Sequence, residues 1–250
     1  MSKPESRLEV VRTAAIAPRM RRIVLGGPGF ADYLPHDIAA TDKYVKIAFG
    51  ESLRTYTVRW VDPVAKELAI DFVTHDVGLA GPWALRAQPG DELVLRGPGG
   101  AYRPDPHADH HLFVGDESAL PAIAAALEVL TPGDRATAFI EVDGPDHEIE
   151  LECEAALDLR WLHRGDAEPG STQLLFDEVT AWEVPAGRLQ AFVHGESALL
   201  KTVRPYLLDG RVARADISVS AYWRCGETEE GFRSWKKTQD DAIIRPERLP

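Results

Sequence analysis

Strand signals crowd this chain as far as His75-Asp76 without a convincing helix among them, and near Pro104–His110 the pattern changes to strands that alternate with helical segments. Short strands at close spacing close into an antiparallel barrel, whereas strand–helix alternation builds a parallel sheet flanked by helices. Two domains are therefore expected, a β-barrel over residues 1–105 and an α/β domain over 106–250, and 250 residues hold enough apolar material for both cores.

In the first part, alternation predicts strands at Leu8–Ile16, Arg21–Leu25, Lys43–Phe49, Arg54–Trp60, Glu67–Thr74 and Glu92–Arg96. Gly26-Gly27-Pro28-Gly29 and Gly97-Pro98-Gly99-Gly100 punctuate them, and the segment with Tyr33, Pro35 and His36 reads as a loop. Gly78 to Leu85 reads as a glycine-containing loop feeding a short helix, with Pro82 in its first turn. In the second part, strands are expected at His111–Gly115, Ala136–Val142, Asp158–His163, Leu189–His194 and Ile217–Trp223. Helices are expected at Ala119–Leu130, Ser171–Thr180, Ser197–Leu208 and Glu227–Gln239.

A formal net charge of −12 and the lack of a basic run argue against nucleic acid or an anionic membrane as the main partner. Cys153 and Cys225 stand alone, with no CxxC spacing to suggest zinc. His107, His110 and His111 admit a metal reading, but adjacent linker histidines without a fourth ligand fit solvent exposure better. Met1–Val10 has no apolar core of leader length, and no run of about 18 apolar residues suits a membrane span. The simplest expectation is a cytoplasmic protein, with nothing that demands more than a monomer.

Arg54-Thr55-Tyr56-Thr57-Val58-Arg59-Trp60 carries the first binding signal. Alternation sets Arg54, Tyr56 and Val58 on one face, so a guanidinium and a phenol ring lie side by side. That pairing suits a ligand with an anionic part and a flat aromatic part, such as a flavin nucleotide; an edge strand with an exposed Arg is the plainer reading. Backbone amides at the helix start after Gly78 are suited to a phosphate. Two later turns share a chemistry, Gly115-Asp116-Glu117-Ser118 and His194-Gly195-Glu196-Ser197. Each offers Ser as a helix cap and Gly as a place for a ligand to approach the backbone, at the carboxyl end of a strand where α/β sheets bind ligands. Either turn alone also reads as an ordinary capping box.

Taken in order, these stretches resemble the siderophore-interacting proteins, or ferric-siderophore reductases, a branch of the ferredoxin-reductase-like flavoproteins. The matching motifs are Val45-Lys46-Ile47, R-x-Y-T-x-R at Arg54–Arg59, Asp71-Phe72-Val73 with His75, the Gly78–Ala84 loop and Gln88-Pro89-Gly90-Asp91. They continue with Gly115 to Pro121, Gly195-Glu196-Ser197 and Tyr222-Trp223-Arg224, so the resemblance covers nearly the whole chain. It implies an FAD-binding barrel followed by a nicotinamide-binding domain. It further implies that Arg54, Tyr56, Thr57, Asp71, Val73, His75, Ala80, Gly81 and Trp83 face FAD. Asp116, Ser118, Gly195, Glu196, Ser197, Tyr222 and Trp223 are its remaining cofactor residues. Lys46 and Arg224 are implied as cations for an anionic ferric siderophore, with Arg103 and Lys236 as weaker candidates.

The implied reaction passes hydride from NADPH or NADH to flavin and then electrons to the Fe(III)-siderophore, releasing Fe(II), with no protein nucleophile. Where the family usually reads G-P-A-S-R-W-A, this chain has Gly78-Leu79-Ala80-Gly81-Pro82-Trp83-Ala84 and lacks the serine hydroxyl. Backbone amides would then carry more of the FAD phosphate. A reductase with another acceptor and a non-redox siderophore-binding protein are the competing readings.

Overall fold

A computed structural model describes residues 4–75 and 77–239, so residues 240–250 of the second expected domain and the first three of the N-terminal segment lie outside it. The chain divides into two compact units, Met1–Arg103 with Pro121–Ala126, and Pro104–Leu120 with Leu127–Pro250.

In the first unit, β1 (Glu5–Ala17) and β2 (Met20–Gly26) lead through α1 (Phe30–Tyr33) to β3 (Tyr44–Phe49), β4 (Ser52–Asp62) and β5 (Glu67–Val73). Then α2 (Ala80–Arg86) and β6 (Glu92–Gly99) complete it. The six strands form a closed barrel in the order β1-β2-β5-β4-β3-β6, antiparallel at every pairing. Alternation drives the closure. Leu8, Val10, Ile23, Leu25, Val45, Ile47, Val58, Leu68, Ile70, Phe72, Leu93 and Leu95 form the core, while the intervening residues point outward. Pairing β1 to β6, with Glu5 opposite Arg96 and Glu9 opposite Glu92, leaves no open sheet edge.

Two local features depart from simple alternation. A bulge between Val58 and Trp60 lets Thr57, Val58 and Arg59 all be buried in succession. The segment expected as a loop around Tyr33 is instead a short helix that buries Phe30 and Tyr33. Gly29 makes its approach feasible, because a Cβ there would lie 1.7 Å from the Arg7 carbonyl oxygen.

Beyond Pro104 the chain runs β7 (His110–Asp116), α3 (Leu120–Leu127), of which Pro121–Ala126 group with the first unit, and then, in the second unit, β8 (Arg135–Val142), β9 (Ala156–His163), α4 (Leu174–Ala181), β10 (Leu189–Glu196), α5 (Val203–Leu208), β11 (Ile217–Trp223) and α6 (Glu229–Thr238). The five strands are parallel in the order β11-β10-β7-β8-β9. β7, β8 and β10 are buried along nearly their whole length, as parallel strands covered on both faces are. The chain crosses β7 to opposite sides, so the switch in strand order falls between β7 and β10.

One expectation in this unit is corrected. Ser197–Leu208 is not one helix but a 3-10 turn, Ser197–Leu200, followed by α5. Pro205 explains the break, since it has no N–H for the carbonyl of residue 201 and is tolerated only in a helix's first turn. Between β8 and β9 the crossover holds a 3-10 turn, Pro145–His147, and no α-helix. No described helix is long and apolar enough to cross a membrane.

Candidate functional site

Within the barrel unit, β4 places Tyr56 against the core, its ring centroid 4.3 Å from Phe72. Phe72 lies 5.7 Å from Trp83, and Trp83 lies 5.8 Å from Phe49, so the cluster braces one side of Tyr56. Trp83 is thus a core contact. Arg54 precedes Tyr56 by two residues and is half-buried, its Nη1 donating to the Leu53 carbonyl at 3.1 Å. Thr57 projects from the opposite side of the strand and is buried.

On β5 the inward positions are Leu68, Ile70 and Phe72, which leaves Asp71 and Val73 on the outer face. Asp71 is buried and takes both prongs of the Arg22 guanidinium, 2.7 Å each, across the β2–β5 pairing. His75 is exposed, and its backbone packs on α2. A Cβ on Gly81 would lie 2.8 Å from the His75 carbonyl oxygen, so the protein's own backbone fills the space that glycine leaves. Ala80 opens α2 from Leu79, a residue with no side-chain acceptor, and no side chain caps the helix.

A cation, a braced phenol ring and an uncapped helix start in one unit form a donor set that fits a flavin nucleotide. Lys46, half-buried on β3, has Thr55 and Arg96 as register partners. Arg96 is tied to Glu5 at 3.1 Å.

In the sheet unit the two flagged turns are joined to each other. Asp116, at the end of β7, accepts from Ser118 N (2.9 Å), Ser118 Oγ (2.5 Å), Glu196 N (2.8 Å) and Trp223 Nε1 (2.8 Å). The Glu196 carboxylate in turn accepts from Ser197 Oγ (2.9 Å), Cys225 N (3.0 Å) and Ala198 N. The sequence expectation that Ser caps each helix is corrected here. Carboxylates accept the turn amides, and the serine hydroxyls donate to those carboxylates. Gly195 likewise serves the protein, since its φ is +140° and a Cβ would lie 2.7 Å from Asp116 Oδ2. Burial, with the neighbouring Glu117 charge, pushes the Asp116 carboxyl up, while its Ser118 and Trp223 donors pull against that.

Tyr222 meets His194 at the neighbouring strand, phenol oxygen to Nδ1 3.0 Å, and Ser218 Oγ lies 2.9 Å from Nε2. Arg224 sits 5.0 Å over the Trp235 ring of α6, and Lys236 Nζ donates to the Ala221 carbonyl at 2.9 Å. Arg103 is exposed.

One cluster escaped sequence reasoning. Arg164, just past β9, is buried and pairs with Glu117 at 2.6 Å and with Asp143, while Glu141 lies 3.8 Å away and accepts from Thr172. Glu117, Asp143 and His147 place ligand atoms within 4.8 Å of one another, but the Arg164 guanidinium already neutralises the carboxylates. No sequence signal linked residues so far apart. The expected solvent exposure holds for His107 and is corrected for the other two, which lie on β7, where His111 is buried and half-buried His110 meets Thr137 Oγ1 at 2.9 Å; the three form no ligand group among the described residues.

Residues 108–226 match the siderophore-interacting protein family, and residues 50–102 match the siderophore-interacting FAD-binding domain. The ferric vibriobactin reductase ViuB of Vibrio cholerae is 38% identical over 72% of this chain and 67% of its own. The chain belongs to the siderophore-interacting protein family. A siderophore utilization protein from T. fusca superposes with a TM-score of 0.82 at 36% identity, over 91% of this chain and 96% of that one. The NADPH-dependent ferric-chelate reductase of Escherichia coli is 28% identical over 86% of this chain and 91% of its own. Phthalate dioxygenase reductase, at a TM-score of 0.66 and 16% identity over 90% of this chain and 70% of its own, shows that this family shares its fold with ferredoxin-reductase-like flavoproteins.

Proposed function

We propose that this chain is an FAD-dependent ferric-siderophore reductase that uses NADPH or NADH and acts in the cytoplasm as a monomer. The observation that carries this reading is the Arg54-x-Tyr56-Thr57 strand, with its phenol braced by Phe72, inside a segment that matches a siderophore-interacting FAD-binding domain. Residues 1–105 are assigned to flavin and 106–250 to the nicotinamide nucleotide. The names of the relatives from Vibrio cholerae and Escherichia coli support the substrate class and the donor.

Arg54 would fork a phosphate oxygen, and the face of Tyr56 away from Phe72 would stack on the flat ring. Thr57, Asp71, Val73 and His75 would border that ring, with Asp71 acting mainly by holding Arg22 in place. The first amides of α2, at Ala80 and Gly81, would receive the pyrophosphate, and Trp83 would back the cluster from the core side. Bound FAD would supply the exchange between a two-electron hydride donor and a one-electron acceptor. Lys46 and Arg224 would draw in an anionic ferric chelate that the overall charge of −12 otherwise repels. Asp116, Ser118, Gly195, Glu196, Ser197, Tyr222 and Trp223 would shape the nucleotide end of the parallel sheet.

The test is spectroscopic. Purified protein mixed with FAD and desalted is expected to stay yellow, to bleach on anaerobic addition of NADPH, and to regain colour when a ferric siderophore is added, with Fe(II) caught by a ferrous-specific chelator. Colourless protein that binds the ferric siderophore and takes up no FAD would leave only sequestration. Rapid reoxidation by a ferredoxin and none by ferric chelates would move the reaction to a different acceptor, the alternative that the shared fold of phthalate dioxygenase reductase favours.

A further inference from the structure

We propose that Asp116 is a positioning residue: it fixes the indole of Trp223 as the flat face on which the nicotinamide nucleotide docks at the carboxyl end of the parallel sheet. The inference rests on the nucleotide reading above and assigns Asp116 a different task from ligand contact.

A carboxylate has about four lone-pair sites, and Asp116 spends them on four donors from its own unit. Ser118 supplies two, Glu196 N one, and Trp223 Nε1 one at 2.8 Å. With the residue 5% exposed, no acceptor capacity is left for a bound molecule. Trp223, by contrast, is half-buried at the last position of β11 and retains exposed surface.

The backbone around the ring is arranged for the same end. Gly170, at φ +76°, has space where a Cβ would otherwise lie 2.9 Å from Trp223 Cη2 and 2.8 Å from Glu196 Cγ. Gly195 clears the space under Asp116 Oδ2 in the same way. Cys225, two residues past the indole, has its amide held by Glu196 Oε1 at 3.0 Å. The indole is therefore tethered at its nitrogen, freed from side-chain crowding at its edge, and followed by a clamped backbone. A buried charge is a poor route to stability, because an apolar isostere often does as well. What the carboxylate contributes is one orientation of one ring.

The test uses the FAD-loaded protein and three variants, Asp116→Asn, Trp223→Phe and the double. The indole N–H resonance of Trp223, identified by its loss in Trp223→Phe, is expected to move upfield in Asp116→Asn. In the same variant the KM for NADPH and the Kd for NADP+ are expected to rise about ten-fold with kcat little changed, the pattern of a lost docking contact. Trp223→Phe, which keeps a ring and loses the tethered N–H, is expected to lose as much, and the double variant no more than either single. An Asp116→Asn protein whose indole resonance moves while NADPH KM and NADP+ Kd stay at the wild-type values would overturn the tether alone. So would a double variant whose losses add. Wild-type protein that binds no NADP+ would overturn the nucleotide reading together with it.

Discussion

His194 is enclosed by the Phe192 ring at 3.7 Å, the Ser218 hydroxyl and the Tyr222 phenol, and burial, with the Lys236 charge, holds its pKa well below 6.5. The unfolded chain takes up a proton near pH 6.5 and the folded chain does not, so stability falls as the pH drops below that value and continues to fall until the folded-state pKa is passed. Urea denaturation at pH 7.5 and 5.5 is expected to show a loss on the order of 1 kcal/mol from this one group, and His194→Gln should remove that share. An unchanged pH difference in the variant would place its origin elsewhere. Arg54 offers the second prediction at this scale. Arg54→Ala is expected to lower FAD retention about ten-fold or more, read as flavin absorbance against protein absorbance after desalting, with Arg54→Lys intermediate because it keeps the charge and loses the fork. That Arg54 and Tyr56 lie two residues apart on one strand was legible from the alternation around them. That Trp83 and Phe72 brace Tyr56 was not, because those rings come from other elements.

Between elements, single polar pairs and single glycines set the joints. The Arg22–Asp71 fork ties β2 to β5 through an Asp side chain 1% exposed and an Arg side chain 26% exposed. Removing the carboxylate takes the two-pronged partner from Arg22 at the barrel wall, so Asp71→Ala is expected to cost about 3 kcal/mol in urea denaturation at neutral pH. A cost within a few tenths of a kcal/mol of zero would mean that Arg22 is satisfied without Asp71. Gly29→Ala is expected to cost about 1–3 kcal/mol, because the new methyl meets the Arg7 carbonyl backbone and α1 must shift away from β1. Circular dichroism melts of the two proteins check this, and an unchanged midpoint would show that α1 is free to move. The break at Pro205 belongs to the same scale. Its cause, a missing N–H at Pro205, is local and readable in the sequence.

For the whole molecule, a cofactor that binds only the folded chain adds stability by mass action. FAD at a hundred times its Kd is expected to add about 2.7 kcal/mol, seen as a higher melting midpoint that keeps rising with FAD concentration. A midpoint indifferent to FAD would count against the flavin reading. At this scale the division between what residue order determines and what folding decides becomes plain. The sequence alone determined the succession of strands, the change from antiparallel to parallel grammar near residue 104, and the residue types offered at strand ends, because alternation, proline and glycine act over a few neighbours. Only the tertiary structure decided that β1 closes on β6, that Asp116 collects Glu196 and Trp223, and that Arg164 draws in Glu117 and Asp143. Those partners lie tens of residues apart. Their meeting depends on strand register and on burial, which makes an unpaired polar group costly and so selects the one arrangement in which each finds its partner.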